Sequence, residues 1–326
     1  MADPAILPAL EAYRRDGRLV LLAAAVVAVF VAFMTIGLRG NIAFVLELRA
    51  TQLLVFVQVG VAIAVSTVLF QTISGNHILT PSIMGLDALY LFCQTALVFA
   101  LGGLGFAALD AQVKFGGEVI LMMALALALF LPLLRQRVDM TLMLLTGVVL
   151  GLMFRSLSSL IARLIDPNDF AVLQGASFAS FTTAPAELLA IGAVVTIVGV
   201  VVAWRARNVL DILALGPDAA TGLGVAWRPT VTALLLLVAA LVAVSTALVG
   251  PIAFLGLLVV ALAERVMGTR RHAVLLPAAS LIAVLVLVGG QVLLQHGLGG
   301  QSVLSVIVEF VGGFVFLMLL FGRRRA

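Results

Sequence analysis

The sequence predicts an all-α polytopic membrane protein of about ten transmembrane helices. Three observations carry that prediction. Of the 326 residues, 63% are hydrophobic and 10% charged, against about 45–50% and about 25% in ordinary soluble domains. A water-soluble fold of this size cannot hide so much apolar surface, so lipid must be its solvent. Apolar runs near the roughly 20 residues that cross a hydrocarbon core recur along the chain. Lys and Arg gather in the short segments between those runs, as topology signals do.

The first run, 19–38, follows a polar N-terminal segment, 1–18, and ends in TIGLRGN. It is longer than the apolar core of a signal peptide and is expected as a retained first span. Further spans are expected at about 53–70, 84–107, 118–134, 140–161, 187–204, 230–248, 252–266, 273–294 and 302–321, the second and eighth being short or interrupted. A basic tail, 323–326, follows. Between spans two and three lies GNHILTPS, where Gly75-Asn76 can end one helix and Thr80-Pro81 can start the next. Two connecting segments are longer. One, 163–186, opens on Asp-Pro-Asn-Asp, a turn and cap cluster, and is expected to form a short external helix. The other, 205–229, contains LDILALG, then Pro217-Asp218 as a helix start, then a glycine close. It reads as two short helices joined by a turn.

Ten spans put both termini on one side. With that side cytoplasmic, the inside segments hold Arg14, Arg15, Arg18, Arg135, Arg137, Arg205, Arg207, Arg228, Arg265, Arg270, Arg271 and Arg323 to Arg325. Outside remain Arg39, Arg49, Lys114, Arg155 and Arg163. The asymmetry favours cytoplasmic termini. The same distribution separates the pI of about 10.2 from nucleic-acid binding, since no phosphate-binding face is formed.

Catalytic signatures are absent from the sequence. No G-x-x-x-x-G-K-[ST] loop occurs. His77, His272 and His296 fall on different predicted segments, and Cys93 sits in an apolar run as a buried thiol would. Glu309 is the carboxylate expected deep in a span. An ionised carboxylate there costs about 2.5–3.5 kcal/mol on insertion scales, so it should face protein or water. It is either a pathway residue or a hydrogen-bonding acid at a helix interface. Asp87, near the start of the third span, is open in the same way. Arg155, in the polar stretch RSLSS, is a second candidate for a cavity. Gly147 and Gly151 form a G-x-x-x-G pair suited to close helix packing. Gly250-Pro251 break the chain where interrupted backbone can line a cavity.

The internal segment is the most informative. It carries Leu210, Leu213, Leu215, Leu223 and Val225 on an apolar face, with the small residues Ala214, Gly216, Ala219, Ala220, Gly222 and Gly224 around them. Such a face suits either docking in a groove on a partner or resting on the chain's own membrane domain.

That segment also carries a resemblance. LDILALGPDAATGLGV resembles the L-x-x-L-A-L-G-x-x-x-A-x-x-L-G-V segment of the iron-siderophore and vitamin B12 ABC-importer permeases, the FecCD-type family. Leu213, Ala214, Leu215, Gly216, Ala220, Leu223, Gly224 and Val225 fall on the pattern, Ala220 one position late. GPIAFLGLLV (250–259) looks like the family's G-P-I-x-F-V-G-L-x-V-P-H, and HAVLLPAASLIAVLVLV like its next span. LFQTISGNHILTPSIMGLDALY resembles its L-Q-x-x-x-x-N-P-L segment, in the form of the branch serving iron-siderophore uptake, often of the catecholate type. The likeness covers about 45–322. The family's Pro-His is here Val260-Ala261, and of its R-L-P-R only Arg49 is kept.

The resemblance implies a type II ABC importer permease over 19–322. It implies ATPase coupling through Leu213 to Gly216, Asp218 to Ala220 and Gly222 to Val225, with docking of a periplasmic or lipoprotein siderophore-binding protein at Arg49. It implies a pathway past Arg155, Gly250, Pro251 and Glu309. The chain would then hold no cofactor, Mg-ATP belonging to two ATPase subunits, and would pair with a second permease, more often a different one. A permease for another metal chelate or a corrinoid such as vitamin B12 is the alternative. An ion-gradient transporter would call for several deep carboxylates, and a membrane-embedded enzyme for a catalytic cluster.

Overall fold

The structure is a computed structural model describing residues 6–38, 40–135, 140–181, 186–297 and 303–322. The tail 323–326, the first five residues, Arg39 and Arg137 lie outside the described residues. Every element among the described residues is helical. In chain order they are α1 (Ile6–Thr35), α2 (Ile42–Ser74), a 3-10 turn (Pro81–Met84), α3 (Leu86–Ala108), α4 (Ala111–Arg135), α5 (Met140–Ala162), α6 (Pro167–Ser177), α7 (Ala186–Arg205), α8 (Arg207–Leu213), α9 (Pro217–Gly222), α10 (Trp227–Val249), α11 (Leu255–Met267), α12 (His272–Gly297) and α13 (Leu304–Gly322). The ten expected spans correspond to α1, α2, α3, α4, α5, α7, α10, α11, α12 and α13. Eight of the described helices are long and apolar enough to cross a membrane unaided.

The helix boundaries follow local chemistry. Asn41 caps α2, its side chain accepting from the Phe44 N–H. Asp166 caps α6 with Pro167 in the first helical position, and Pro217 opens α9 in the same way. Gly75 closes α2 in the left-handed conformation. Thr80-Pro81 starts only one 3-10 turn, and Gly85, at φ 85°, turns the chain into α3. The third span therefore begins at Leu86.

Two departures from the expected spans position the sites. The second span is a 33-residue helix, not the 18 or so residues of its apolar core. At 1.5 Å per residue it is about 50 Å long, against about 30 Å of hydrocarbon. Arg49 thus lies on α2, and its Nη1 donates to the carbonyls of Phe33 (2.7 Å) and Ile36 (2.8 Å) at the end of α1. A cation on the last carbonyls of a helix is favourable for the macrodipole. The eighth span, by contrast, has only the 13 residues of α11, about 20 Å. The non-helical segment 250–254 supplies the remaining depth.

α2 is the axis of the bundle. It packs against α12, α10, α7 and α11, and with α10 it is the most buried of the spans. Near the middle of α2, Phe56 sits edge-on to Phe33 and stacked on Phe181, with ring centroids 5.9 and 4.8 Å apart. On the side of the bundle, the G-x-x-x-G pair of α5 meets the turn before α3. A Cβ on Gly85 would stand 3.0 Å from the Gly147 carbonyl oxygen and from the Gly151 nitrogen. GNHILTPS is therefore more than a surface turn, because the chain that follows it packs against the body of α5.

Candidate functional site

Two groups of residues stand out. The first surrounds the break at Gly250-Pro251. Gly250 has φ 99°, and a Cβ there would lie 3.0 Å from the Ala179 Cα, so the segment after α10 runs against the strap that follows α6. The Ser180 N–H donates to the Val249 carbonyl at 2.7 Å. α13 closes the other side, since a Cβ on Gly312 would meet the Phe254 Cβ at 2.8 Å. On α13, Glu309 faces the Ala253 N–H, an irregular-backbone donor left without a helical partner. Interrupted backbone inside a membrane is tolerated when buried in protein in this way.

Asp87, in the first turn of α3, belongs to this group. It is 5% exposed, and neither carboxylate oxygen closes a hydrogen bond among the described residues. Ser82 lies beside it, and the charges of Arg155 and Glu309 act on it. Glu309 thus meets the 250–254 segment, while Arg155 and Asp87 stand on the neighbouring helices α5 and α3. Arg155 itself is exposed on α5.

Glu309 is half-buried, and a second carboxylate on another span is more fully enclosed by protein. Glu118 on α4 is 4% exposed and accepts from Gln94 Nε2 at 2.9 Å. The fourth span starts seven residues earlier than expected, at Ala111, which places Lys114 and Glu118 one turn apart on it. Lys114 Nζ lies 3.7 Å from the centre of the Phe106 ring. The Lys114–Glu118 spacing was the available signal, and it was absorbed into a loop by the late helix start.

The second group is the α8–α9 segment. Its apolar residues divide between two faces. Leu210, Leu213 and Ala220 are buried against the membrane domain. Leu215 and Leu223 are 64% and 61% exposed, on a ledge with Ala214, Asp218, Ala219, Gly222 and Gly224. Gly216 (φ 96°) links the two helices, and Gly224 (φ 87°) ends the second. Val225 is half-buried. Of the two sequence alternatives, resting on the chain's own domain holds for the face of Leu210, Leu213 and Ala220, while the face of Leu215 and Leu223 is left exposed.

His77 and His272, from different segments, line one cavity of about 100 Å³ with Gln71, Thr72, Glu264 and Arg270. His77 Nδ1 and an Arg270 Nη lie 3.4 Å from the two oxygens of Glu264.

The sequence profile of the FecCD transport family matches residues 19–322. The chain belongs to the FecCD transport family. The FecCD relatives include the petrobactin import system permease protein YclO of Bacillus subtilis (strain 168), 40% identical over 288 residues, covering 88% of this chain and 91% of the relative. The petrobactin import system permease protein FatC of Bacillus anthracis is 34% identical, over 86% of this chain and 79% of its own. A solved metal-chelate type ABC transporter in an inward-facing conformation superposes with a TM-score of 0.83 over 94% of this chain and 99% of that chain, at 22% identity. That likeness gives the fold. The FecCD chain is accordingly a multi-pass inner-membrane permease of the ABC-importer type.

Proposed function

We propose that the chain is the permease subunit of an ABC importer that carries a ferric siderophore, of the catecholate type, across the bacterial inner membrane. The observation that carries this reading is the outward ledge of α8–α9. Two bare leucines on a floor of alanine and glycine, at one end of a helix bundle, fit a groove on another protein. The partner is a pair of ATPase subunits, which hold Mg-ATP. The substrate class is supported by the petrobactin permeases at 40% and 34% identity.

The mechanism is alternating access. Closure of the ATPase dimer pushes on α8–α9 and shifts the balance between outside-open and inside-open packings. Arg155, Glu309 and the 250–254 segment, with Asp87, line the pathway. A binding protein delivers the chelate to the outer face near Arg49, and a second, different permease completes the channel. Both termini are cytoplasmic.

The test is reconstitution with the cognate ATPase, second permease and binding protein, with radio-iron-labelled ferric petrobactin as the probe. Uptake requires ATP and is not reduced by excess vitamin B12. Uptake that persists without ATP and follows a proton gradient refutes the reading, and competition by vitamin B12 replaces the siderophore with a corrinoid.

A further inference from the structure

α8 is tied to the membrane domain by a chain of short side-chain bonds. Asp211 Oδ1 accepts from the backbone N–H of His272 at 2.9 Å and lies 2.6 Å from its ring Nδ1. The same carboxylate thus caps the N-terminus of α12 from another element, 61 residues away in sequence. The other ring nitrogen, Nε2, is 2.7 Å from the Thr72 hydroxyl in the last turn of α2. The ring is 3% exposed. A carboxylate only accepts, so Nδ1 carries the hydrogen that faces Asp211. The Thr72 oxygen also lies 2.8 Å from the Val68 carbonyl, which keeps the hydroxyl on the helix that carries it.

These contacts join three elements at one imidazole. Asp211 is 39% exposed, on the same short helix that leads to the bare Leu215. Thr72, in the last turn of α2, lies on the same helix as Phe56 near its middle, whose ring stacks on Phe181 of the strap that packs against Gly250. The cavity of about 100 Å³ beside the ring is lined by Gln71, whose side-chain amide has no hydrogen-bond partner among the described residues. The imidazole therefore has space on one side and short bonds on the other two.

We propose that His272 is a positioning residue for transport: through Asp211, His272 and Thr72, displacement of α8 is passed to the inner ends of α2 and α12. This rests on the reading of α8–α9 as the ATPase-docking surface. Thr72 and Asp211 make no part of the exposed ledge, so their isosteric replacement leaves docking in place and removes only the link.

The test uses the complete reconstituted importer with ferric petrobactin, measuring ATPase co-purification, ATP hydrolysis, and iron transported per ATP. Thr72→Val and Asp211→Leu, the latter leaving no acceptor for the His272 N–H groups, retain the ATPase and hydrolyse ATP within about 2-fold of wild type, while iron per ATP falls by about 10-fold, a coupling loss of ordinary size. Thr72→Ser, which keeps the hydroxyl, restores the ratio. The Thr72→Val/Asp211→Leu double variant is no worse than the weaker single, because both cut one chain. Iron per ATP unchanged in both singles overturns the proposal, as does a loss of hydrolysis and transport in equal proportion. A wild-type complex that never couples ATP to uptake, or a Leu215→Asp variant that still binds the ATPase, refutes the docking reading itself and is told apart by those controls.

Discussion

At the scale of single residues, the membrane makes errors expensive, and this makes some positions legible from sequence. Glu309 and Arg155 stood out because a charge in hydrocarbon costs about 2.5–3.5 kcal/mol and must be used or covered. What Glu309 meets was not legible, since the Ala253 N–H comes from an element far away in the chain. Gly85 is the sharpest local case. Its φ of 85° disfavours any side chain, and a Cβ would meet the backbone of α5 at 3.0 Å. Gly85→Ala is expected to lower stability by about 1–3 kcal/mol, read as a lower thermal midpoint in detergent, and an unchanged midpoint would mean α5 can retreat. Asp87→Asn should behave in the opposite way. It removes a buried carboxylate that makes no hydrogen bond among the described residues, so the midpoint should hold or rise. If Asp87 serves the pathway, uptake falls while the protein stays folded, and a drop in the midpoint would instead mark the carboxylate as a structural ion-pair partner.

At the scale of elements, apolar runs located nearly every span, while polar turns misplaced their ends. Glu47, Arg49, Thr51 and Gln52 hid the first third of α2, because hydropathy reports where lipid is and not where the helix stops. Likewise 252–266 covered α11 to within one residue but not the reason that it is short. The α8–α9 segment was legible almost to the residue because Pro217 and the flanking glycines punctuate it. Its two faces were not, since seven- and six-residue helices are too short for periodicity to choose between them. Leu215→Asp and Gly216→Arg should abolish co-purification of the ATPase while leaving membrane insertion intact. The first puts a charge on the exposed ledge, and the second also strains a residue at φ 96°. Normal assembly of both variants would place the docking surface elsewhere.

At the scale of the whole molecule, the order of spans and the distribution of Arg argue for cytoplasmic termini, and the expected result is simple to state. In sealed inside-out vesicles a cysteine placed at Arg18 reacts with a membrane-impermeant maleimide, and one at Asp166 does not. The native Cys93 is buried and gives little background. The reverse pattern would invert the topology and, with it, the side on which α8–α9 lies. One feature of the bundle reaches beyond transport. α5 is the least buried of the described spans, and Arg155, Ser156 and Ser159 lie on its exposed surface. In a bilayer such a face is tolerated only against protein or water. A copy made without its neighbour therefore displays an uncovered arginine and serines to lipid, the kind of surface that membrane-embedded proteases can recognise. With the proposed pairing to a second, different permease, synthesis of the two would have to be matched, and in cells lacking that subunit the half-life of this chain in a pulse-chase should shorten several-fold, with Arg155→Leu prolonging it.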